Sequence, residues 1–289
     1  MSWRTIVIEN KAKLSYKGDY LLVRNEEVKM IHLSEINTII IDSTMTNITS
    51  YLICEIIKWK IKLVFCDEKR NPIGEIVPYY GSHNTSKRVI TQTNWSITTK
   101  QVVWTAIINE KIRNQAGLLR KLDLKNDSKL YTLASQLTIN DTTNREGHAA
   151  KVYFNTLFGK NFNRKEDNSI NAALNYGYSI LLSNFNKEIV SMGYLTQLGL
   201  KHKNEFNQFN LTSDLMEPFR ILVDEIVYKN RDNDFTGGYK VKLVDILNKK
   251  VMINNSMQFI TNAISIYLNS IFQSLNKDDP SLLHFLIYP

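Results

Sequence analysis

Val103-Trp-Thr-Ala-Ile107-Ile108-Asn-Glu-Lys-Ile112 is the stretch on which the fold turns. Its apolar residues Val103, Ile107, Ile108 and Ile112 recur at the spacing of one helical face. The same period extends from about Ser86 to Lys121, and no proline follows until Pro218. Working outward toward the C-terminus, the chain reads as almost entirely helical. Breaks are expected near Asp123–Asp127, Thr138–Asn144, Gly159–Asp167, Gly199–Asn210 and Phe235–Gly238. Working toward the N-terminus, the period changes at Tyr80. Trp3–Glu9 alternates, and Leu14–Tyr16 and Tyr20–Arg24 flank a Lys-Gly-Asp turn. Val28–Leu33 and Glu35–Asp42 are rich in β-branched residues, as strands are. One amphipathic helix, Ser50 to Lys60, interrupts with Leu52, Ile53, Ile56 and Ile57 on its stripe. Lys62–Cys66 then reads as a buried strand, and a turn at Arg70-Asn71-Pro72 leads into Ile73–Pro78. Strands first and helices afterwards imply an α+β protein, with a β domain over 1–82 and a larger α-helical domain over 83–289.

The chain has 289 residues, 43% of them hydrophobic, enough to bury two cores and to exclude a disordered chain. No run approaches 18 consecutive apolar residues, and the first residues lack the pattern of a secretory signal. Two cysteines, Cys54 and Cys66, are too few for a disulfide framework or a cysteine zinc site. A cytoplasmic protein with buried thiols and no membrane association is expected.

Charge is the more informative quantity. The 36 Lys and Arg against 28 Asp and Glu leave +8. Between Ser82 and Leu130, nine basic residues stand against Glu110, Asp123 and Asp127, so six of the eight net charges sit there. Such a concentration is the footprint of a polyanion partner, because each neutralised phosphate releases counterions. Lys87, Arg88, Arg113, Arg120 and Lys121 are the candidate phosphate contacts. A solvated helical face is the second reading of the same pattern.

Three polar segments stand out. Gly199-Leu-Lys-His202 is followed by Ser213-Asp214-Leu-Met-Glu217-Pro218-Phe-Arg220, and Glu146 lies in Asn144-Arg-Glu-Gly-His148. Pro218 belongs in the first turn of a helix continuing over Phe219 to Tyr228. Asp214 and Glu217 would then sit at its N-terminus, where carboxylate ionisation is favoured. One imidazole with carboxylates from distant segments suits magnesium or manganese rather than zinc. Both Thr143-x-x-Glu146 and Asp214-x-x-Glu217 also fit capping boxes, in which the acid bonds back to the cap. Phosphate loops, dinucleotide fingerprints and Gly-x-Ser-x-Gly elbows do not occur.

These residues resemble the motifs of the CRISPR-associated adaptation integrase, the "Cas one" subunit of spacer acquisition. The likeness rests on Asn-Arg-Glu146-Gly-His-Ala-Ala-Lys-Val-Tyr-Phe, Asn171-Ala-Ala-Leu-Asn175-Tyr-Gly-Tyr178, Gly199-Leu-Lys-His202 and Ser213-Asp214-Leu-Met-Glu217-Pro-Phe-Arg220. Trp3-Arg-Thr, Lys13-Leu-Ser-Tyr-Lys17 and Met30-Ile-His-Leu-Ser-Glu35 extend it over most of the chain, and the wording is most like type II-A systems.

The resemblance implies a metal-dependent DNA endonuclease and integrase with Mg2+ or Mn2+ as cofactor. Glu146, His202 and Glu217 would be its catalytic and metal-binding residues, with Asp214 a less certain ligand. It further implies a homodimer formed through the β domain, and a small ferredoxin-like second adaptation subunit in a 4:2 complex. Double-stranded prespacer DNA would be joined through its 3′-hydroxyl ends to leader-repeat DNA by transesterification. A non-catalytic DNA-binding scaffold and a branched-DNA repair nuclease are the alternative readings.

Overall fold

The alternating and β-branched segments at the N-terminus form β1 (Arg4–Ile8), β2 (Lys13–Lys17), β3 (Tyr20–Arg24), β4 (Val28–His32), β5 (Ile36–Ile41) and β6 (Asn47–Ile48). Helix α1 (Ser50–Lys58), capped by the Thr49 side chain, precedes β7 (Lys62–Cys66) and β8 (Pro72–Glu75). This computed structural model describes residues 4–68, 70–79 and 84–288. Trp3, Tyr80 and the boundary expected at 82/83 lie outside the described residues. The chain divides into two compact units, Met1–Gly81 and Ser82–Pro289.

In the first unit one sheet runs β1-β5-β7-β8 and another β4-β3-β2-β6. β5 pairs parallel to both β1 and β7, so its run of isoleucines is covered on both sides, as parallel central strands are. Gly18 and Asp19, both at positive φ, close the β2–β3 hairpin, the geometry a two-residue turn requires. Leu14, Leu21, Leu33, Leu52 and Leu63 meet in one core. Cys66 is buried, but Cys54 is exposed, against the expectation of two buried thiols.

The second unit opens with α2 (Thr85–Thr93) and α3 (Ile97–Lys121). The continuous helix expected from Ser86 is therefore broken. Ser96 accepts from the Thr99 amide, and so caps a new helix where the apolar period continues unchanged. α4 (Asp127–Ser135), α5 (Arg145–Phe158), α6 (Ser169–Ser191), α7 (Asn210–Leu215), α8 (Ile221–Lys229) and α9 (Gly237–Val244) follow, separated at each expected break. The unit is mostly helical, as expected, but beyond α9 it also carries strands. There β9 (Lys250–Ile253) and β10 (Ser256–Phe259) form a hairpin closed by Asn254 and Asn255, both at positive φ. After α10 (Ile260–Lys277), β11 (Leu286–Ile287) adds to β9.

α3 is the spine of this unit. Val103, Ile107, Ile108 and Ile112 are fully buried, and Trp104, Tyr153, Phe185, Phe219 and Tyr267 fill the core as its largest side chains. Gly177 lets α6 approach α8, since a Cβ there would collide with Val223. Among the described residues no helix is long and apolar enough to cross a membrane.

Candidate functional site

Glu146 stands in the first turn of α5, yet it does not cap that helix. Asn144, in the left-handed region at φ 51°, accepts from the Gly147 amide at 3.3 Å. Asp141 accepts from the amides of Arg145 (2.8 Å) and Glu146 (2.9 Å). The terminal N–H groups are thereby satisfied by other side chains, and the expected Thr143–Glu146 capping box is not formed. The Glu146 carboxylate turns instead to α3, where Lys111 Nζ donates to its Oε1 at 2.7 Å.

Lys111 also reaches the second acid. Its Nζ lies 2.6 Å from Glu217 Oε2, and Arg220 Nη2 lies 2.9 Å from Glu217 Oε1. Glu217 begins a single 3-10 turn, Glu217–Phe219, that links α7 to α8; Pro218 occupies its first positions, and no side chain caps it. Asn114 of α3 donates to the Pro218 carbonyl at 3.2 Å and ties the turn to the spine. Burial alone would push the Glu217 carboxyl up, but Arg220 and Lys111 outweigh it and hold the group ionised. Burial would likewise depress the Lys111 ammonium, but Glu217 and Glu146 reverse that and keep it charged.

Asp214 does not share a face with Glu217. It lies near the end of α7, fully buried, and its carboxylate organises the preceding loop. The amides of Leu200 (2.7 Å) and Lys201 (2.9 Å) donate to its Oδ2, and the His202 amide reaches the same oxygen at 3.3 Å. His202 Nδ1 donates to Asp214 Oδ1. A carboxylate only accepts, so Nδ1 carries a proton, and in the neutral ring Nε2 keeps its lone pair. The hydrogen bond to Asp214 raises the His202 pKa above the ordinary imidazole value, against an opposing effect of burial. Gly199 is required here, because a Cβ would meet the Asp214 carboxylate and the His202 carbonyl. Both the capping reading of Asp214-x-x-Glu217 and the placement of Asp214 at a helix N-terminus are thus corrected.

The two clusters are joined through one segment. Lys201 Nζ donates to the Asn140 carbonyl at 3.0 Å, beside the Asp141 that caps α5. The Asn140 amide donates to Thr105 of α3 at 2.7 Å. Glu146 and Glu217 are brought together on Lys111, whereas His202 rests on Asp214. Among the described residues no three acidic, imidazole or thiol side chains are grouped closely enough to hold a metal ion. The donor chemistry nonetheless fits a hard divalent cation. Two carboxylates from distant segments converge on one positive charge, and Glu217 Oε2 is buried with that ammonium 2.6 Å away, a place a cation already occupies.

Behind this lies a buried relay. Asp224 of α8 accepts from the hydroxyls of Tyr178 and Tyr153, the latter at 2.9 Å. The Arg220 guanidinium stacks over the Tyr178 ring, 4.9 Å from its centroid. Burial raises the Asp224 pKa to about 6, only partly offset by the tyrosine hydroxyls.

Sequence reasoning missed Lys111, Arg220 and Asp224 as members of the site. The available signal was position. Lys111 follows Ile107 by four residues and Ile108 by three, so it falls on the apolar face of α3, where an unpaired ammonium is costly. Of the candidate phosphate contacts, Arg120 pairs with Asp127 at 3.1 Å and Lys121 with Glu225 at 3.2 Å. Arg113 donates to Asn109 at 2.6 Å and Arg88 to the Tyr194 hydroxyl at 3.2 Å, while Lys87 is exposed.

Comparison with known proteins follows the same lines. Residues 5–236 match the family model described as CRISPR associated protein Cas1. A CRISPR-associated endonuclease Cas1 of Neisseria meningitidis serogroup C is 36% identical over 283 residues, which cover 95% of this chain and 92% of the relative. Among solved structures, a casposase bound to integration product superposes with a TM-score of 0.78 at 18% identity, covering 97% of this chain and 92% of that one. A chain of a Cas6-RT-Cas1–Cas2 complex gives 0.74 at 16% identity, covering 97% of this chain and 36% of that one. At these identities the two structures speak to fold alone.

Proposed function

Because this chain belongs to the Cas1 family of CRISPR-associated proteins, we propose that its Glu146–Lys111–Glu217 centre is the catalytic site of a CRISPR adaptation integrase. The protein is an endonuclease and integrase by family. The reaction assigned to the centre is joining of prespacer 3′-hydroxyl ends to the leader-proximal repeat by transesterification. The observation that carries this reading is the convergence of two acids, from α5 and from the α7–α8 turn, on a single cation. A scaffold whose acids merely cap helices would have no use for it, and neither acid caps one.

The nucleophile in this reaction is the substrate's own hydroxyl, so the protein needs no catalytic serine, tyrosine or cysteine. Glu146, Glu217 and His202 Nε2 would hold Mg2+ or Mn2+, which supplies polarisation of the scissile phosphodiester and stabilisation of its developing charge. Arg220 keeps Glu217 ionised, and Lys111 keeps the two acids together against their mutual repulsion. Asp214 orients the His202 ring and fixes its tautomer, as partners of metal-binding imidazoles do. This makes Asp214 a positioning residue rather than a fourth ligand.

The wording of the motifs supports a type II-A placement. The β unit is assigned to homodimerisation, and the partner to a small ferredoxin-like second adaptation subunit in a 4:2 complex acting in the cytoplasm. The likeness in fold to a chain of a Cas6-RT-Cas1–Cas2 complex is in keeping with a second-subunit partner. Among the surface cations, Lys87, Arg88 and Arg113 remain candidates for DNA phosphates; the Arg120 and Lys121 charges face carboxylates.

A strand-transfer assay tests the reading. The protein and its partner subunit are mixed with a 3′-hydroxyl prespacer and a plasmid carrying leader and repeat, with manganese, magnesium or chelator. Joined products that require metal, and that vanish in Glu146→Ala, His202→Ala and Glu217→Ala while binding persists, are expected. Binding without joining under every metal would leave a scaffold. Cleavage of branched DNA with no need for partner or repeat would leave a repair nuclease.

A further inference from the structure

Glu146 and Glu217 stand on different helical segments, and the Lys111 ammonium between them rides on a flexible stem. That stem cannot by itself fix how far apart the two acids lie. A stiffer link exists two turns further along both segments. Tyr153 follows Glu146 by seven residues on α5, so the two share a face. Asp224 follows Glu217 by seven residues, through the 3-10 turn and into α8. The Tyr153 hydroxyl donates to Asp224 Oδ2 at 2.9 Å, and the Tyr178 hydroxyl of α6 donates to Oδ1. Each carboxylate oxygen is thus taken by a different helix, and all three residues are buried.

Stability alone does not ask for a carboxylate here. Burial penalises the Asp224 charge, and the two hydroxyls, Arg220 and Arg164 offset that only in part. A leucine with two phenylalanines would fill the same space, and apolar sets of matching shape are often neutral or stabilising replacements. What the carboxylate adds is direction, through two hydrogen bonds of set length to two other helices. Apolar packing does not supply it at this level. A cavity of 210 Å³ is lined by Ala150 and Phe154 of α5 and by Ile221 and Asp224 of α8. Lys111 and Glu217 line the same cavity, so close packing does not set the spacing of α5 and α8 beside the acids. Arg220 completes the connection, with Nη2 at 2.9 Å from Glu217 and its guanidinium over the Tyr178 ring.

We propose that Asp224 is a positioning residue of the metal site: by accepting from Tyr153 it fixes α5 against α8, and with them the separation of Glu146 from Glu217. Tyr178 holds the carboxylate in the orientation that this link requires. Asp224 acts through the two helices and takes no part in the reaction itself. The proposal rests on the reading of Glu146 and Glu217 as metal ligands.

Manganese affinity of the full chain, measured at neutral pH without DNA, tests the link. The electron paramagnetic resonance signal of free Mn2+ reads it, with no need for joining. Tyr153→Phe removes one hydroxyl and keeps the ring, and binding about tenfold weaker is expected, the scale for losing a group that orients metal ligands. Asp224→Leu should lose at least as much. In Asp224→Asn the amide oxygen still accepts from one tyrosine and the amide nitrogen donates to the other, so most of that tenfold should return. The double variant Tyr153→Phe with Asp224→Leu should lose no more than Asp224→Leu alone, as members of one link do.

A lower urea midpoint with unchanged manganese affinity in Tyr153→Phe would leave a purely structural trio and overturn the proposal. Loss in Asp224→Asn as large as in Asp224→Leu would assign the effect to charge, and additive losses in the double variant would dissolve the link. Should Asp224→Leu not fold, Tyr153→Phe and Asp224→Asn decide between these outcomes. Glu146→Ala and Glu217→Ala separate the proposal from the reading beneath it. If both bind manganese as wild type does, the ligand assignment falls and the link with it. If both lose manganese while Tyr153→Phe keeps it, the ligands stand and only the link falls.

Discussion

Lys111 Nζ stands 2.6 Å from Glu217 Oε2, inside a helical core where the lysine side chain is 13% and the glutamate 5% exposed. The same ammonium reaches Glu146 at 2.7 Å. One buried cation thus closes a site built from three separated segments, and it stands between the two acids that the metal reading assigns as ligands. Removal of Lys111 should therefore affect folding and metal binding in opposite directions.

Lys111→Met leaves two carboxylates facing each other with only Arg220 for compensation. A loss of roughly 3 kcal/mol in chelator is expected, the scale for breaking a buried ion pair by removing one partner. Manganese should restore more stability to Lys111→Met than it adds to wild type, because a divalent ion substitutes for the missing charge. Urea denaturation with and without manganese measures both. Equal metal-induced stabilisation in the two proteins would dissociate Lys111 from the metal site.

Asp224 gives the folded chain a pH dependence of definite sign. Its folded pKa, raised by burial to about 6, lies above the ordinary carboxyl value of 3.8. The folded state therefore binds the proton more tightly than the unfolded state. Its contribution to stability is full below the unfolded value and declines as pH rises through that window. Asp224→Asn should lack this decline between about pH 4 and 6, visible as a flatter dependence of the urea midpoint on pH. A parallel pair of curves would assign the slope to other groups.

His202 should titrate above free imidazole in wild type, because Asp214 stabilises the imidazolium. In Asp214→Asn the hydrogen bond survives in form but not in charge, and the pKa should fall toward or below 6.5. The sign for stability is that of a raised base: support is present below the unfolded pKa and lost as pH climbs through the folded one. Nitrogen-15 NMR of the imidazole reads both pKa and tautomer. An unchanged titration would remove Asp214 from control of the ring.

Gly177→Ala places a methyl group against Val223, where α6 and α8 touch. Overpacking of this kind costs about 1–3 kcal/mol, and α8 follows directly on the Glu217 turn. Chemical denaturation should show the loss, and Gly177→Ala with Val223→Ala should regain part of it. No recovery in the double variant would locate the strain elsewhere.

Much of this protein was legible in one dimension. The period-two segments before residue 79 and the 3.6-residue period of α3 are local patterns, and local patterns survive without tertiary context. The breaks between helices were equally local, marked by glycine, asparagine and aspartate. The third sheet was not. β9 and β10 are four residues each, and β11 is two, too short for alternation to separate them from a helix end; pairing of β9 with β10 across a tight turn and with β11 across α10 makes them strands.

The site divides along the same line. Glu146, His202 and Glu217 could be named from their neighbours, because each sits in a short string of chemically distinctive residues. What those strings could not show is which side chains face one another. Asp214 and Glu217 are three residues apart, and a continuous helix would have set them side by side. The chain leaves α7 between them, so one acid holds a loop and the other meets Lys111. Lys111 itself reads as one more charge in a basic stretch. Only the packing of α3 against α5 and the α7–α8 turn makes it the buried counter-ion of both acids, since desolvation and long-range pairing are properties of the assembled core.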